Sequence, residues 1–267
     1  MHATLRKLLP VFGLVVAILL AGNAGAHPED EFCVPGEAVI DPLLCAALAE
    51  LDSASTTADL GPLLDAEGNE RSAFSTAVLY VGIGIGHILP AGLDHILFVL
   101  ALFLTSMRLR DLVIQISTFT VAHTVTLGLA AAGVIAPPAG VVEPLIAASI
   151  AFVAIENLGF REMPAWRPAV VFGFGLVHGL GFAGFFGELG LPPGQFLSGL
   201  VGFNIGVEIG QLSIVLLAWL LARAVRGMLP ADHVDALYRR YAIVPLSLAI
   251  AAIGLYWTVV RVAAQFA

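Results

Sequence analysis

The chain has 267 residues, of which 59% are hydrophobic and 12% charged, and its mean hydropathy is +0.95. The charged share is about half that of a soluble domain, and a core of this size cannot hide so much apolar surface from water; lipid is the expected solvent for most of it. A net charge of −8 lacks the basic footprint that nucleic acid requires.

The chain opens with the pattern of a secretory signal peptide over residues 1–26. Arg6 and Lys7 give the positive region, Leu8 to Leu20 the apolar region, and Ala24-Gly25-Ala26 a small-x-small cleavage site. The alternative is an uncleaved anchor helix. Residues 27–73 form an acidic segment read as exported, with eleven Asp and Glu against a single Arg71 and a short helical stretch around Pro42 to Leu51. Its Cys33 and Cys45 are the only cysteines of the chain. In an oxidising compartment they read as one disulfide; the competing reading is a metal-collecting site with His27 at a cleaved N-terminus.

From residue 74 the chain becomes an all-α membrane domain of about six spans, with apolar stretches near 75–104, 111–135, 141–159, 168–189, 196–222 and 241–262. A spanning helix needs ~20 residues, and no strand-like alternation competes. The loops after the first, third and fifth spans hold Arg108, Arg110, Arg161, Arg167, Arg223, Arg226, Arg239 and Arg240, whereas the other side of the mature chain holds only Arg71 and Arg261. This bias puts the arginine-rich loops in the cytoplasm and the mature N-terminus outside the bacterial inner membrane. Ala231 to Arg240 reads as a short surface helix.

Ionisable residues inside a bilayer are costly, so each calls for a role. His87, Asp94 and His95 lie in the first span, His123 in the second, His178 in the fourth and Glu208 in the fifth. The histidines and Glu208 fall at similar depth on four spans. Asn204, Glu208 and Gln211 share one helix face, and His87 and Asp94, seven residues apart, share another. Thr120, Thr124 and Thr126 supply hydroxyls around His123. Imidazole and carboxylate are ligands of divalent transition metals, so His87, Asp94, His95, His123, His178 and Glu208 form the candidate metal site, with Asn204, Gln211, Thr120 and Thr124 in support. Gly175, Gly179, Ala183 and Gly187 make a small-residue face beside His178, and Pro90 predicts a kink near His87. Glu156 and Asn157 are a candidate exit element at the cytoplasmic end.

Four ordered motifs resemble the HupE/UreJ family: GHILPAGLDHILF (86–98), FTVAHTVTL (119–127), VHGLGFA (177–183) and FNIGVEIGQ (203–211). The resemblance covers roughly 75–225 and is nearer the second branch than the hydrogenase-linked nickel permeases. It implies a helical membrane protein, with nickel or cobalt uptake the role in the better-known branch and metalloenzyme-maturation proteins of hydrogenase and urease clusters as partners. This sequence departs from the nickel branch at two places. HPxxGxDH has its counterpart with Ile88 after the histidine and seven residues, rather than six, from His87 to Asp94. The paired-histidine FHGxAHGxE has only His178-Gly179. His87, Asp94, His95 and His178 are therefore carried over as metal-pathway residues, and nickel specificity is not; the ion is Ni, Co, Cu, Zn or Fe.

The expected function is a permease or binding protein for such an ion. The alternatives are a non-transporting accessory factor for metallocentre assembly, and a haem protein with His123 and His178 as axial ligands. No Walker A motif, HExxH or nucleophile motif marks an enzyme.

Overall fold

In the computed structural model, residues 72–160, 163–182 and 194–266 are described. The signal peptide, the acidic segment with Cys33 and Cys45, Arg161, and the stretch holding Ala183, Gly187 and Glu188 lie outside them. The described residues form α1 (Ala73–Ile88), α2 (Leu93–Thr105), α3 (Leu109–Ala131), α4 (Ala139–Gly159), α5 (Arg167–Gly181), α6 (Phe196–Gly227), a short α7 (Val234–Tyr238) and α8 (Val244–Ala263). No strand occurs among them.

The lipid-facing sides of the helices are apolar. Their outer faces expose Val113, Val121 and Val125 on α3, and Leu216, Leu217 and Leu220 on α6. Four helical stretches are long and apolar enough to cross a membrane: α3, α4, α6, and residues 231–263 containing α7 and α8. α1 and α2 reach that length and apolarity only together, as a bent pair that forms a broken span or a re-entrant loop. The expected sixth span is not established: α5 is described for only 15 residues, and the stretch 168–189 runs on beyond them. The short helix expected near Ala231–Arg240 is present as a 3-10 turn (Ala231–His233) followed by α7.

The expected first span, 75–104, is not one helix. α1 and α2 meet at a bend of 73°. Pro90 offers no amide for a helical ladder, and its bond to Leu89 is cis. At Gly92 any Cβ would overlap the carbonyl oxygen of His87, so the tight turn needs glycine. The kink foreseen from Pro90 is thus a complete break, and His87 and Asp94 lie on different helices rather than on one face.

Three helix pairs carry most of the packing, α1 with α6, α3 with α5, and α4 with α8. In the parallel α1–α6 pair, Gly202 faces Ala77, Gly206 faces Val81 and Gly84, and Gly210 faces Ile88. With no hydrophobic effect between helices in lipid, this close approach supplies the contact energy. A Cβ at Gly206 would overlap the Val81 carbonyl oxygen, whereas one at Gly82 meets nothing within 4 Å. Gly206→Val is therefore expected to cost on the order of 3 kcal/mol, and Gly82→Val almost nothing, read as detergent melting temperatures.

The α1, α4 and α6 N-termini and the α8 C-terminus share one end of the bundle, termed the near end. There Thr76 donates to Gln195, and Gln265 and Arg261 donate to the carbonyls of Gly140 and Glu143. At the far end, Arg239 donates to the carbonyls of Asn157, Leu158 and Phe160, capping α4.

A candidate metal centre at the broken helix

The break turns the chain by 73°, so that the last turn of α1 and the first turn of α2 present their histidines to each other. The His87 and His95 rings stand 4.8 Å apart, centroid to centroid. α3 adds His123, 6.0 Å from His95, and α5 adds His178, 5.1 Å from His95. One ring nitrogen from each of His87, His95 and His123 lies within 4.8 Å of the other two. All four histidines are buried. The Nε2 atoms of His87, His95 and His123 and the Nδ1 of His178 have no hydrogen-bond partner.

The neighbours fix two tautomers. Asn204 spends its amide Nδ2 on the carbonyl of Leu200, 2.8 Å away, so its Oδ1 faces His123 Nδ1 at 3.1 Å. That oxygen accepts Nδ1–H and leaves Nε2 as a bare lone pair. Likewise Ser149 donates its hydroxyl to the Ile146 carbonyl at 2.7 Å, and its oxygen accepts from His178 Nε2 at 2.9 Å. His178 Nδ1 is then the bare atom. Buried, oriented imidazoles with unpaired lone pairs fit a borderline metal ion; without one, each orphan is a desolvation cost. Asn204→Ala is expected to weaken metal binding ~10–100-fold, measured by competition with a chromophoric chelator.

Aromatic rings close the cluster above and below. Toward the near end, Phe182 lies 4.0 Å and Phe203 5.5 Å from His87, and the two phenyl rings stack at 5.0 Å. Toward the far end, Phe98 and Phe119 each stand 5.1 Å from His178 and 5.1 Å from one another.

The other expected site residues lie elsewhere. The Asp94 carboxylate pairs with Arg261 at 3.0 Å. Glu208 is half-buried between α3 and α6, accepting from Ser117 Oγ at 2.7 Å and from Thr120. Thr120 also bonds the Ile116 carbonyl and Gln211, and Thr124 donates to the Thr120 carbonyl. These threonines serve the helix backbone and Glu208. The structure thus brings together four of the six expected ligands and leaves the two carboxylates facing other partners.

The described half of the small-residue face packs closely: Gly175 meets Phe119 and Ala122, and Gly179 meets the backbone of His123, while Ala183 and Gly187 lie outside the described residues. Backbone contact there leaves no slot for a porphyrin between His123 and His178. Ser149 was passed over as a ligand-positioning group, although a lone hydroxyl in the apolar middle of α4 was the signal for it.

Buried histidines within an apolar helix bundle, dressed outside with lipid-facing side chains, define an integral membrane protein whose histidine cluster could hold a metal ion. Residues 65–261 match the family model described as HupE / UreJ protein, and the chain belongs to that family. No curated protein and no solved structure matches it.

Proposed function

We propose that the protein is a permease for a divalent transition metal ion, nickel or cobalt by family, and that His87, His95 and His123 hold the ion midway through the bilayer. The observation that carries this reading is the trio of buried, unpartnered Nε2 atoms on three helices. His178 borders them and serves as a fourth ligand or relay. Metal–imidazole bonds of ~2.1 Å give a tetrahedral site an edge of roughly 3.4 Å. The nitrogens here spread to 4.8 Å, so loading draws α1, α2 and α3 together. The break at Leu89–Gly92 is where such a movement is absorbed, and discontinuous helices at midplane suit a substrate site. The phenylalanine pairs keep the ion from both faces at once and open in turn.

Charge sets the direction. Among the described residues, seven arginines lie at the far end, and Arg261 stands at the near end. The far end is then cytoplasmic, the near end exported, and the membrane the bacterial inner membrane. Inward passage of a dication gains about 4.6 kcal/mol per 100 mV, enough to drive uptake without a nucleotide. On this reading a cleaved signal peptide exports the acidic segment, which concentrates cations at the entrance. The protein carries out no chemical reaction and passes its ion to metalloenzyme maturation.

Proteoliposomes held inside-negative and offered Ni, Co, Cu, Zn, Fe or Mn ions should show saturable uptake of one of them. Stoichiometric binding with no flux in any polarity would replace the permease by a metal-holding accessory protein. Absence of both binding and flux would overturn the metal reading.

A further inference from the structure

Three neutral imidazoles in an apolar cage bring no negative charge to a dication, and an uncompensated double charge at this depth is costly. The carboxylate that can supply compensation is adjacent in sequence to a ligand: Asp94 precedes His95 in the first turn of α2. It is occupied by Arg261, which donates to Asp94 Oδ2 at 3.0 Å and to the Glu143 carbonyl at 3.1 Å and lies 5.6 Å from the Trp257 ring centroid. Glu208, the second carboxylate among the expected ligands, already accepts from two hydroxyls.

We propose that Arg261 is a place-holding cation: its guanidinium occupies Asp94 while the histidine site is empty, and an arriving metal ion displaces it. The inference rests on the metal reading of the histidine cluster. Asp94 and Arg261 have side chains 24% and 27% exposed, so both are free to turn and rehydrate. Arg261 keeps the Glu143 carbonyl and the Trp257 ring when it lets go, so α8 stays docked on α4. Arg261 is thus a positioning residue that sets metal affinity through Asp94, without touching the ion. Its placement at the near end couples loading to loss of the Asp94–Arg261 tie between α2 and α8.

The test is equilibrium binding of Ni and of Zn ions to the full chain in detergent, comparing the parent with Arg261→Gln, Arg261→Lys, Asp94→Asn and the double variant Arg261→Gln/Asp94→Asn. Removal of the competitor should tighten metal binding about 10-fold in Arg261→Gln, while Arg261→Lys stays near the parent. Asp94→Asn should weaken it, and the double variant should match Asp94→Asn, because Arg261 acts only through that carboxylate. Unfolding midpoints of all variants guard against simple loss of structure, which would weaken binding rather than tighten it. Unchanged or weaker binding by Arg261→Gln, or additive effects in the double variant, would overturn the exchange while leaving the histidine site intact. A parent that binds neither ion would instead remove the metal reading itself.

Discussion

Replacing His87 and His123 together by alanine is expected to abolish stoichiometric metal binding, with an affinity loss well beyond the ~10–100-fold typical of removing an outer-shell partner. The two residues sit on α1 and α3, and each offers a buried Nε2 without a hydrogen bond. Removing them leaves His95 with His178 beside it, and two neutral imidazoles are too few ligands to hold a dehydrated ion in an apolar cage. Both rings are buried, and His123 Nδ1 donates to Asn204 Oδ1 while His87 packs on Phe182, so the truncations also leave cavities and an orphaned acceptor and should lower the unfolding temperature; loss of binding is read at a temperature where the variant is still folded. Elemental analysis after incubation with the six ions, beside a melting curve, gives both readings. If the double variant retains the bound metal, the ion is held elsewhere, and the acidic segment around His27 is the place to look.

A second large effect lies at the far end and concerns stability alone. Arg167 is fully buried and pairs with Glu156, Nε to Oε2 at 3.6 Å. Its guanidinium also reaches Asn157 Oδ1 at 3.3 and 3.4 Å and the hydroxyl of Thr105, and Asn157 in turn donates to the Ala101 carbonyl at 2.8 Å. The network ties α2, α4 and α5 together. Glu156→Ala leaves a buried guanidinium without its counter-charge and should cost about 3–5 kcal/mol. The double change Glu156→Leu/Arg167→Met removes both charges at similar volume and should recover most of that loss. Guanidinium chloride or thermal unfolding in detergent measures both. A single variant as stable as the parent would mean that water reaches the pair.

How much of this was legible in the sequence differs from residue to residue. Membrane character, helical class and the gathering of histidines at one depth follow from hydropathy and position, which act locally along the chain. Pro90 announced a kink, yet its extent was hidden: hydropathy runs unbroken from 75 to 104, and only the close approach of Gly92 to His87 shows that the chain turns. That break also decided the fate of Asp94, since helical phase had put it on the His87 face. Arg167 was counted among the loop arginines that set the orientation, whereas the structure buries it fully. Glu156 and Asn157, polar residues late in an apolar helix with no partner of their own, were the sign that a cation had to come inward. The pairings of His123 with Asn204 and of Asp94 with Arg261 join residues 81 and 167 positions apart, and no periodicity encodes contacts of that kind.

The parallel pairing of α1 with α6 has a consequence for biosynthesis. Thr76 and Gln195, which meet at the start of both helices, are separated by 119 residues. At ~5–20 residues per second of synthesis, α1 is inserted with its glycine stripe facing lipid or the insertion machinery for on the order of ten seconds before its partner exists. α3 and α5 can dock in the meantime through Gly175 and Gly179, so the nascent protein holds half of its histidine cluster on an assembled pair and half on the unpaired bent helix pair. Only when α6 slides beside α1 do the two halves close. A ribosome pausing between α5 and α6 would lengthen the one interval in which the metal ligands are open to the wrong ion.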